Sequence, residues 1–302
     1  MRSGVIDLGS NTFHAVVAKV DAGEVKSILL DDKIAVRLGE HAFARRRICD
    51  DAYARGFTAL GELIERVRAK DCDSIAIVAT GVFREASNGR RFLAEARGTY
   101  DVDIELLDGH EEARLTWLGV ASELALEGRR LAVVDLGGGS LECALGTKFV
   151  ESAHSLPLGM LRLRGLLVHD TRAIVKNAAR HVIGELVAFA PETLALSSGT
   201  ARVLLRLARS IGRIPAVARH MPARTLTELA TMLTTLCTSA LAELGVPQER
   251  RDTIATGALV LDTIVQAVGV RQVYIARAAL REGLLASVTN SLETSFPTQC
   301  AR

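Results

Sequence analysis

Two short segments of this chain carry residue types that could act together on a phosphate. Val5-Ile6-Asp7-Leu8-Gly9-Ser10-Asn11-Thr12 and Val134-Asp135-Leu136-Gly137-Gly138-Gly139-Ser140 each set an Asp in an apolar, strand-like run and follow it with a glycine turn. Turn amides free of bulky side chains can approach phosphate oxygens closely, and a strand-end carboxylate can hold a divalent cation, directly or through water. Gly9, Ser10 and Asn11 in one turn, and Gly137, Gly138, Gly139 and Ser140 in the other, are candidate phosphate ligands. Asp7 and Asp135 are candidate metal ligands, and Glu142 is a third unless it is a solvent-facing strand residue. Neither turn has the spacing of a dinucleotide fingerprint, and no Gly-Lys-Ser/Thr follows as in a Walker loop.

Turns of this kind need rigid strands behind them. Apolar patterning predicts strands at 2–8, 12–20 and 25–30, with Asp21-Ala22-Gly23-Glu24 as a turn. A helix over 51–68, a strand at 74–79, short helices over 82–97, a strand at 102–107 and an apolar helix over 111–126 follow. Strands at 131–135, 141–146 and 149–154 then repeat the opening pattern. Helices over 171–189, 200–211, 224–243, 254–268 and 281–292 alternate with strands at 193–197 and 272–275. The βββαβα order occurs twice, which predicts a diverged internal duplication and an α/β fold of mixed sheets flanked by helices. Trp117, at helical spacing with Ala113 and Ala121, reads as core, and Arg45-Arg46-Arg47 as a loop before the first long helix.

At 302 residues the chain can bury two domains, and it has no apolar run long enough for a membrane span. No basic-then-apolar leader precedes the first strand. Five scattered cysteines without Cys-x-x-Cys spacing fit a reduced cytoplasm, with neither a disulfide framework nor a zinc site. A net charge of +2 gives no nucleic-acid signature, so any attraction for anions is local.

Asp7-Leu-Gly-Ser-Asn-Thr and Asp135-Leu-Gly-Gly-Gly-Ser resemble the two phosphate motifs of the actin-like ATPase and sugar-kinase superfamily. More narrowly, the chain resembles the exopolyphosphatase/guanosine pentaphosphate phosphohydrolase family. That family's segments recur in order at Ala79-Thr80-Gly81-Val82-Phe83-Arg84-Glu85-Ala86-Ser87-Asn88, Gly109-His110-Glu111-Glu112-Ala113-Arg114, Ser197-Ser198-Gly199-Thr200 and Ala279-Leu280-Arg281-Glu282-Gly283. The resemblance implies two actin-like domains, ribonuclease H-like in fold, around a cleft. Residues 1–113 would form one, with a C-terminal helix 286–302 packing back on it, and 114–285 the other. It implies Glu112 as the base that takes the proton from an attacking water, with Glu111 serving as a cap or support. Arg84 and Arg37 are candidate ligands of the terminal phosphate, because guanidinium matches phosphate oxygens. Ser198, Gly199 and Thr200 look like the nucleotide-side loop of the superfamily, and His14 reads as structural.

The activity implied is Mg²⁺-dependent release of orthophosphate from the end of inorganic polyphosphate, with Mn²⁺ as a possible substitute metal and stimulation by a monovalent cation left open. The alternative is 5′-hydrolysis of guanosine pentaphosphate (pppGpp). A kinase-like phosphotransferase and a non-catalytic phosphate-binding regulator stand further off. The resemblance also implies a homodimer, although no apolar stripe demonstrates one. Two departures matter: Ala276-Arg277-Ala278 replaces the Ser-Asp-Gly of many members, and the chain ends without the further helical domains of the long ones. The second would shift preference towards shorter polyphosphate. Arg202, Arg206, Arg209 and Arg213 form a basic stripe, read either as a solvated face or as a track for a polyanion.

Overall fold

The computed structural model describes residues 1–21, 24–125 and 128–290. The expected turn at Ala22-Gly23 and the end of the C-terminal helix beyond 290 lie outside the described residues. The chain opens with β1 (Arg2–Leu8), β2 (Thr12–Asp21) and β3 (Glu24–Ala35), then α1 (Gly39–Arg45), α2 (Asp50–Arg68), β4 (Ser74–Ala79), α3 (Val82–Glu85), α4 (Gly89–Tyr100) and β5 (Glu105–Leu106). Helix α5 (Gly109–Leu124) leads to β6 (Leu131–Leu136), β7 (Leu141–Gly146) and β8 (Val150–Leu156). Then come α6 (Val168–Ala178), α7 (Arg180–Phe189), β9 (Thr193–Ser197), α8 (Gly199–Ser210), β10 (His220–Pro222) and α9 (Ala223–Leu233). The chain closes with α10 (Thr238–Glu243), α11 (Ile254–Val268), β11 (Gln272–Ile275) and α12 (Leu280–Asn290).

Two sheets result, ordered β3-β2-β1-β4-β5 and β10-β11-β9-β6-β7-β8. Read from β8 to β11, the second repeats the first: two antiparallel pairings, then two parallel ones. The duplication legible in the strand order is therefore a duplication of topology, and the architecture is the two-sheet actin-like α/β fold.

The alternation of side chains along a strand decides where the two Asp residues emerge. In β1, Ile6 and Leu8 enter one core with Phe13, Leu60 and Phe92, while Val5 points to the other face with Asp7. In β6, Val134 and Leu136 face one core, while Val133 shares the opposite face with Asp135. Helix α5 serves both of these second faces. It gives Leu115 to the first sheet, and Ala113, Trp117 and Val120 to the second. Trp117 is buried there and donates its indole N–H to the Leu131 carbonyl at 3.1 Å.

Helix α12 packs Leu280, Leu284 and Leu285 on β1 and β2, each such burial stabilising by about 1.5–3 kcal/mol. Its Gly283 meets α5 backbone to backbone, since a side chain there would overlap the Leu115 carbonyl. That contact explains the glycine closing the Ala279–Gly283 motif.

Several elements differ from expectation. β3 runs on to Ala35 because its acids find partners: Asp31 bonds to the His14 ring, and Asp32 to the Arg66 guanidinium at 3.3 Å. The 224–243 segment is two helices. Thr234 and Thr235 turn their hydroxyls onto the carbonyls of Thr231 and Met232, competing with helix continuation. The 171–189 segment starts early and breaks at Ala179. The 102–107 strand shrinks to Glu105–Leu106, Arg45 ends α1 instead of lying in a loop, and β10 was not legible.

Candidate active site

The two glycine turns are built alike. Gly9 N–H donates to Thr12 O at 3.2 Å and Gly137 N–H to Ser140 O at 2.9 Å, so each turn closes on its own hairpin. These two amides are engaged within their own hairpins, so Gly9 and Gly137 shape the turns while their neighbours present the open amides. The turn carbonyls are also occupied. Asn11 O accepts from the Val36 and Arg37 amides and Ser10 O from Gly39, while Gly137 O and Gly138 O accept from Met160 and Leu161. Gly139 O takes the Arg162 guanidinium. Among the described residues the amides of Ser10, Asn11, Gly138, Gly139 and Ser140 donate to no protein group. Pinned carbonyls with free amides make a nest for anions.

The turns face one another: a Cβ built on Gly138 would lie 3.5 Å from Cβ of Ser10. Ser10 Oγ in turn accepts the Val82 amide at 3.0 Å, which fixes the start of α3 and hence Arg84.

Four carboxylates crowd beside these turns. Burial pushes Asp7 above its ordinary range, against the opposing pull of Arg281 at 3.3 Å. Burial, with Glu112 and Asp7 adding repulsion and Arg202 and Arg281 opposing, takes Asp135 to about 7. Burial also raises Glu142 to about 7, with Asp135 contributing and the hydroxyls of Ser140 and Ser155 opposing. Glu142 is 2% exposed and accepts from Ser155 at 2.8 Å, so it is not a solvent-facing strand residue.

Glu112 is lifted well above the usual carboxylate value by burial and by Glu142, against the pull of Arg84. Its Oε2 lies 2.8 Å from Arg84 Nη1, which also donates to Leu107 O. Helix α5 aims Glu112 inward because Asp108, not Glu111, caps it, accepting from the Glu111 amide at 2.8 Å. Glu111 instead holds Arg114 through two bonds on the outside.

Asp7, Asp135 and Glu142 offer hard oxygen donors whose mutual repulsion a dication would relieve, so the residues fit Mg²⁺ better than a softer ion. A pH dependence follows. A carboxylate raised in the folded state stabilises the protein fully below its unfolded pKa, and that contribution is lost as pH rises through the folded value. His14, held down to about 3 by burial and by Arg281, has the opposite slope below about 6.5. Asp135 and Glu142 alone outweigh the one lowered His by on the order of 1 kcal/mol per pH unit across about pH 5 to 7, and the raised Glu112 and Asp7 act in the same direction, so stability falls over that window. Melting of chelator-treated protein should therefore fall over that window, and Mg²⁺ should restore it at about pH 8. A flat profile with no response to Mg²⁺ would remove the acids from any metal site.

The other candidates are placed less uniformly. Arg37, at φ 51°, joins Arg164, Glu40 and Asp252 in an ion network tying residues near α1 to the segment before α11. Ser198 caps α8 through the Ala201 amide at 2.9 Å, and the buried Thr200 hydroxyl lies 3.7 Å from Met160 Sδ. Ser198 Oγ thus accepts from the helix and keeps its own O–H to donate, whereas the Thr200 hydroxyl points to sulfur. Gly199 lies under the guanidinium of Arg250, a residue sequence reasoning missed, as it missed Ser155 and the Gly159–Arg162 segment. Along the basic stripe Arg209 bonds to Ala218 O, the exposed Arg213 pairs with Glu228, Arg206 is exposed and Arg202 turns to the Arg277 carbonyl. The amides of Arg277 and Ala278 are both held by Glu123, at 2.8 and 2.7 Å, and the Arg277 side chain is exposed.

Residues 16–292 match the Ppx/GppA phosphatase family. Exopolyphosphatase 1 of Mycobacterium tuberculosis is 31% identical over 300 residues, spanning 94% of this chain and 87% of that protein. The crystal structure of an exopolyphosphatase from Cytophaga hutchinsonii superposes with a TM-score of 0.88 at 21% identity, over 96% of this chain and 98% of the other. The Aquifex aeolicus member of the Ppx/GppA family superposes at 0.79 with 20% identity, over 98% and 99%. These two structural likenesses show a shared fold. No helix among the described residues is long and apolar enough to cross a membrane.

Proposed function

This chain belongs to the Ppx/GppA phosphatase family, and from that premise we propose that it is an exopolyphosphatase, a Mg²⁺-dependent hydrolase releasing orthophosphate from the end of inorganic polyphosphate. The observation that carries the reading is the pair of facing turns, carbonyls pinned and amides free, above four carboxylates, Glu142 buried and Asp7, Glu112 and Asp135 half-buried. Hydrolysis of a phosphoanhydride needs an in-line water, charge neutralisation and a stabilised leaving group.

In this reading the free amides of Ser10, Asn11, Gly138, Gly139 and Ser140 hold phosphoryl oxygens. Asp7, Asp135 and Glu142 would hold the cation, which when bound neutralises charge on the phosphoryl groups. Glu112 accepts the proton of the attacking water as the new P–O bond forms and the bridging P–O bond to the shortened chain breaks. A raised pKa makes Glu112 a stronger base, and Arg84 keeps its carboxylate oriented until the terminal phosphate competes for the guanidinium. Residues 1–113 with the returning helix would act as one lobe and 114–285 as the other, with α5 shared by the cores of both.

Further cations favour a polyanion. Burial, together with Arg281, Arg202 and Arg250, lowers the Lys33 pKa against the opposing pull of Asp31, and burial lowers those of Arg202 and Arg250. The Arg250 guanidinium makes no hydrogen bond among the described residues. Arg250→Ala should raise KM for polyphosphate about tenfold, equivalent to about 1.4 kcal/mol, with kcat little changed. An unchanged KM in a normally melting variant would take Arg250 out of the substrate path.

The deciding experiment measures orthophosphate release with Mg²⁺ from short polyphosphate, long polyphosphate, guanosine pentaphosphate and ATP. Preference for polyphosphate supports the proposal, and preference for the guanosine nucleotide replaces it.

A further inference from the structure

Strand β8 carries chemistry on both faces. Ser155 turns inward to Glu142, so its neighbour His154 turns the other way, towards α7. There it meets His181 and Glu185, which stand four residues apart and so share one helix face. His154 Nε2 lies 2.8 Å from Glu185 Oε2, and His181 Nε2 lies 2.9 Å from Glu185 Oε1. All three ligand atoms fall within 4.8 Å of one another.

We propose that His154, His181 and Glu185 form a binding site for a late first-row transition-metal dication of the Zn²⁺ class, separate from the phosphoryl-transfer carboxylates. Two imidazoles and one carboxylate make an N₂O donor set that suits Zn²⁺, Cu²⁺ or Ni²⁺ and is poor for Mg²⁺. At metal–ligand bonds of 2.0–2.1 Å, tetrahedral donors stand about 3.3 Å apart, so each His–Glu pair need open only by about half an ångström. The His181 side chain is 79% exposed, which gives an ion its entry path and leaves the remaining positions to water.

Glu185 is held in its ionised form by His154 and Ser152, against partial burial. Ser152 Oγ sits 2.9 Å from both Glu185 Oε2 and His154 Nε2; with an ion on Nε2 it gives up the ring and keeps its bond to the Glu185 carboxylate, holding that ligand in place. To take the ion each ring must be the neutral Nδ1–H tautomer: a ring protonated only on Nε2 shifts that proton to Nδ1 through solvent, and an imidazolium releases its Nε2 proton to solvent. Binding would clamp the edge strand β8 to α7. That strand also holds Glu142 through Ser155, and His110, two residues before Glu112, through the Ala153 carbonyl at 2.6 Å.

The test is independent of the enzymatic reading. Chelator-stripped, desalted full-length protein is kept in excess Mg²⁺ to fill the oxygen-donor site, then titrated with Co²⁺ while visible d–d absorption is followed. One equivalent should develop bands that Zn²⁺ abolishes. His181→Ala, at an exposed position where folding is safe, and Glu185→Gln should each weaken the binding more than tenfold. His169→Ala, at another exposed histidine, should leave it unchanged, and orthophosphate release in Mg²⁺ alone should be the same for His181→Ala as for the unaltered chain. Absence of the Co²⁺ bands, or bands of equal affinity in His181→Ala and Glu185→Gln, would overturn the proposal.

Discussion

Glu112→Gln is expected to lower kcat on polyphosphate by about three orders of magnitude while KM stays within a few-fold. Gln keeps the shape and still offers an oxygen to Arg84, whose guanidinium now bonds Glu112 at 2.8 Å and Leu107 O at 2.9 Å. What it removes is the group that takes the proton of the attacking water. It also removes one of four mutually repelling, poorly solvated carboxylates, so the metal-free variant should melt higher than the unaltered protein at about pH 8. The two readouts separate chemistry from folding. Glu111→Gln is the control, because that side chain only holds Arg114 on the outside, an interaction worth about 0.2–1 kcal/mol at the surface. Turnover like that of the unaltered protein in Glu112→Gln would refute Glu112 as the base, whatever the effect on melting.

The two Asp turns were legible because local sequence positions them, whereas Glu112 was singled out only by the family resemblance, since a Glu pair at a helix start reads by itself as a cap. An apolar run, an Asp and a glycine turn dictate a strand end whatever lies around it. Trp117 was legible as core because helical spacing with Ala113 and Ala121 is a local pattern too. The burial of Glu142 was open, since a strand pattern alone does not say which face a second sheet layer covers. Here the Ser155 hydroxyl from β8 settles it.

What could not be read is which turn amides stay free. That depends on residues brought from elsewhere in the chain: Val36 to Gly39 for the first turn, Met160 to Arg162 for the second. Arg37 shows the same limit from the other side. Its charge suggested a phosphate ligand, but the fold brings it Glu40 and Asp252 as partners. Arg250 is the converse case, an unremarkable arginine in a polar stretch that the fold lays over Gly199.

Gly159→Ala should cost several times what an ordinary added methyl costs. A Cβ at Gly159 would overlap the Gly139 carbonyl carbon, Gly138 O and Ser140 N together. All three are backbone atoms of the second turn, so no side-chain rotation relieves the clash. The 159–162 segment must instead lift away, and it carries the Met160 and Leu161 amides and the Arg162 guanidinium that pin three turn carbonyls. Overpacking of about 1–3 kcal/mol, with two or three hydrogen bonds of about 1 kcal/mol each, gives a loss of roughly 3–6 kcal/mol. Activity should suffer beyond stability. Once its carbonyls are released the turn can rotate, and an amide displaced by about 1 Å costs on the order of 100-fold in rate. Gly184→Ala provides the comparison. It lies within α7 with nothing inside 4 Å of the new methyl, and should stabilise by up to about 1 kcal/mol with activity intact. Melting temperature and orthophosphate release measured on both variants decide the matter. If Gly159→Ala turns over normally at a temperature where it is folded, the covering segment does not hold the turn in its phosphate-binding shape, and the free amides must owe their orientation to the hairpin alone.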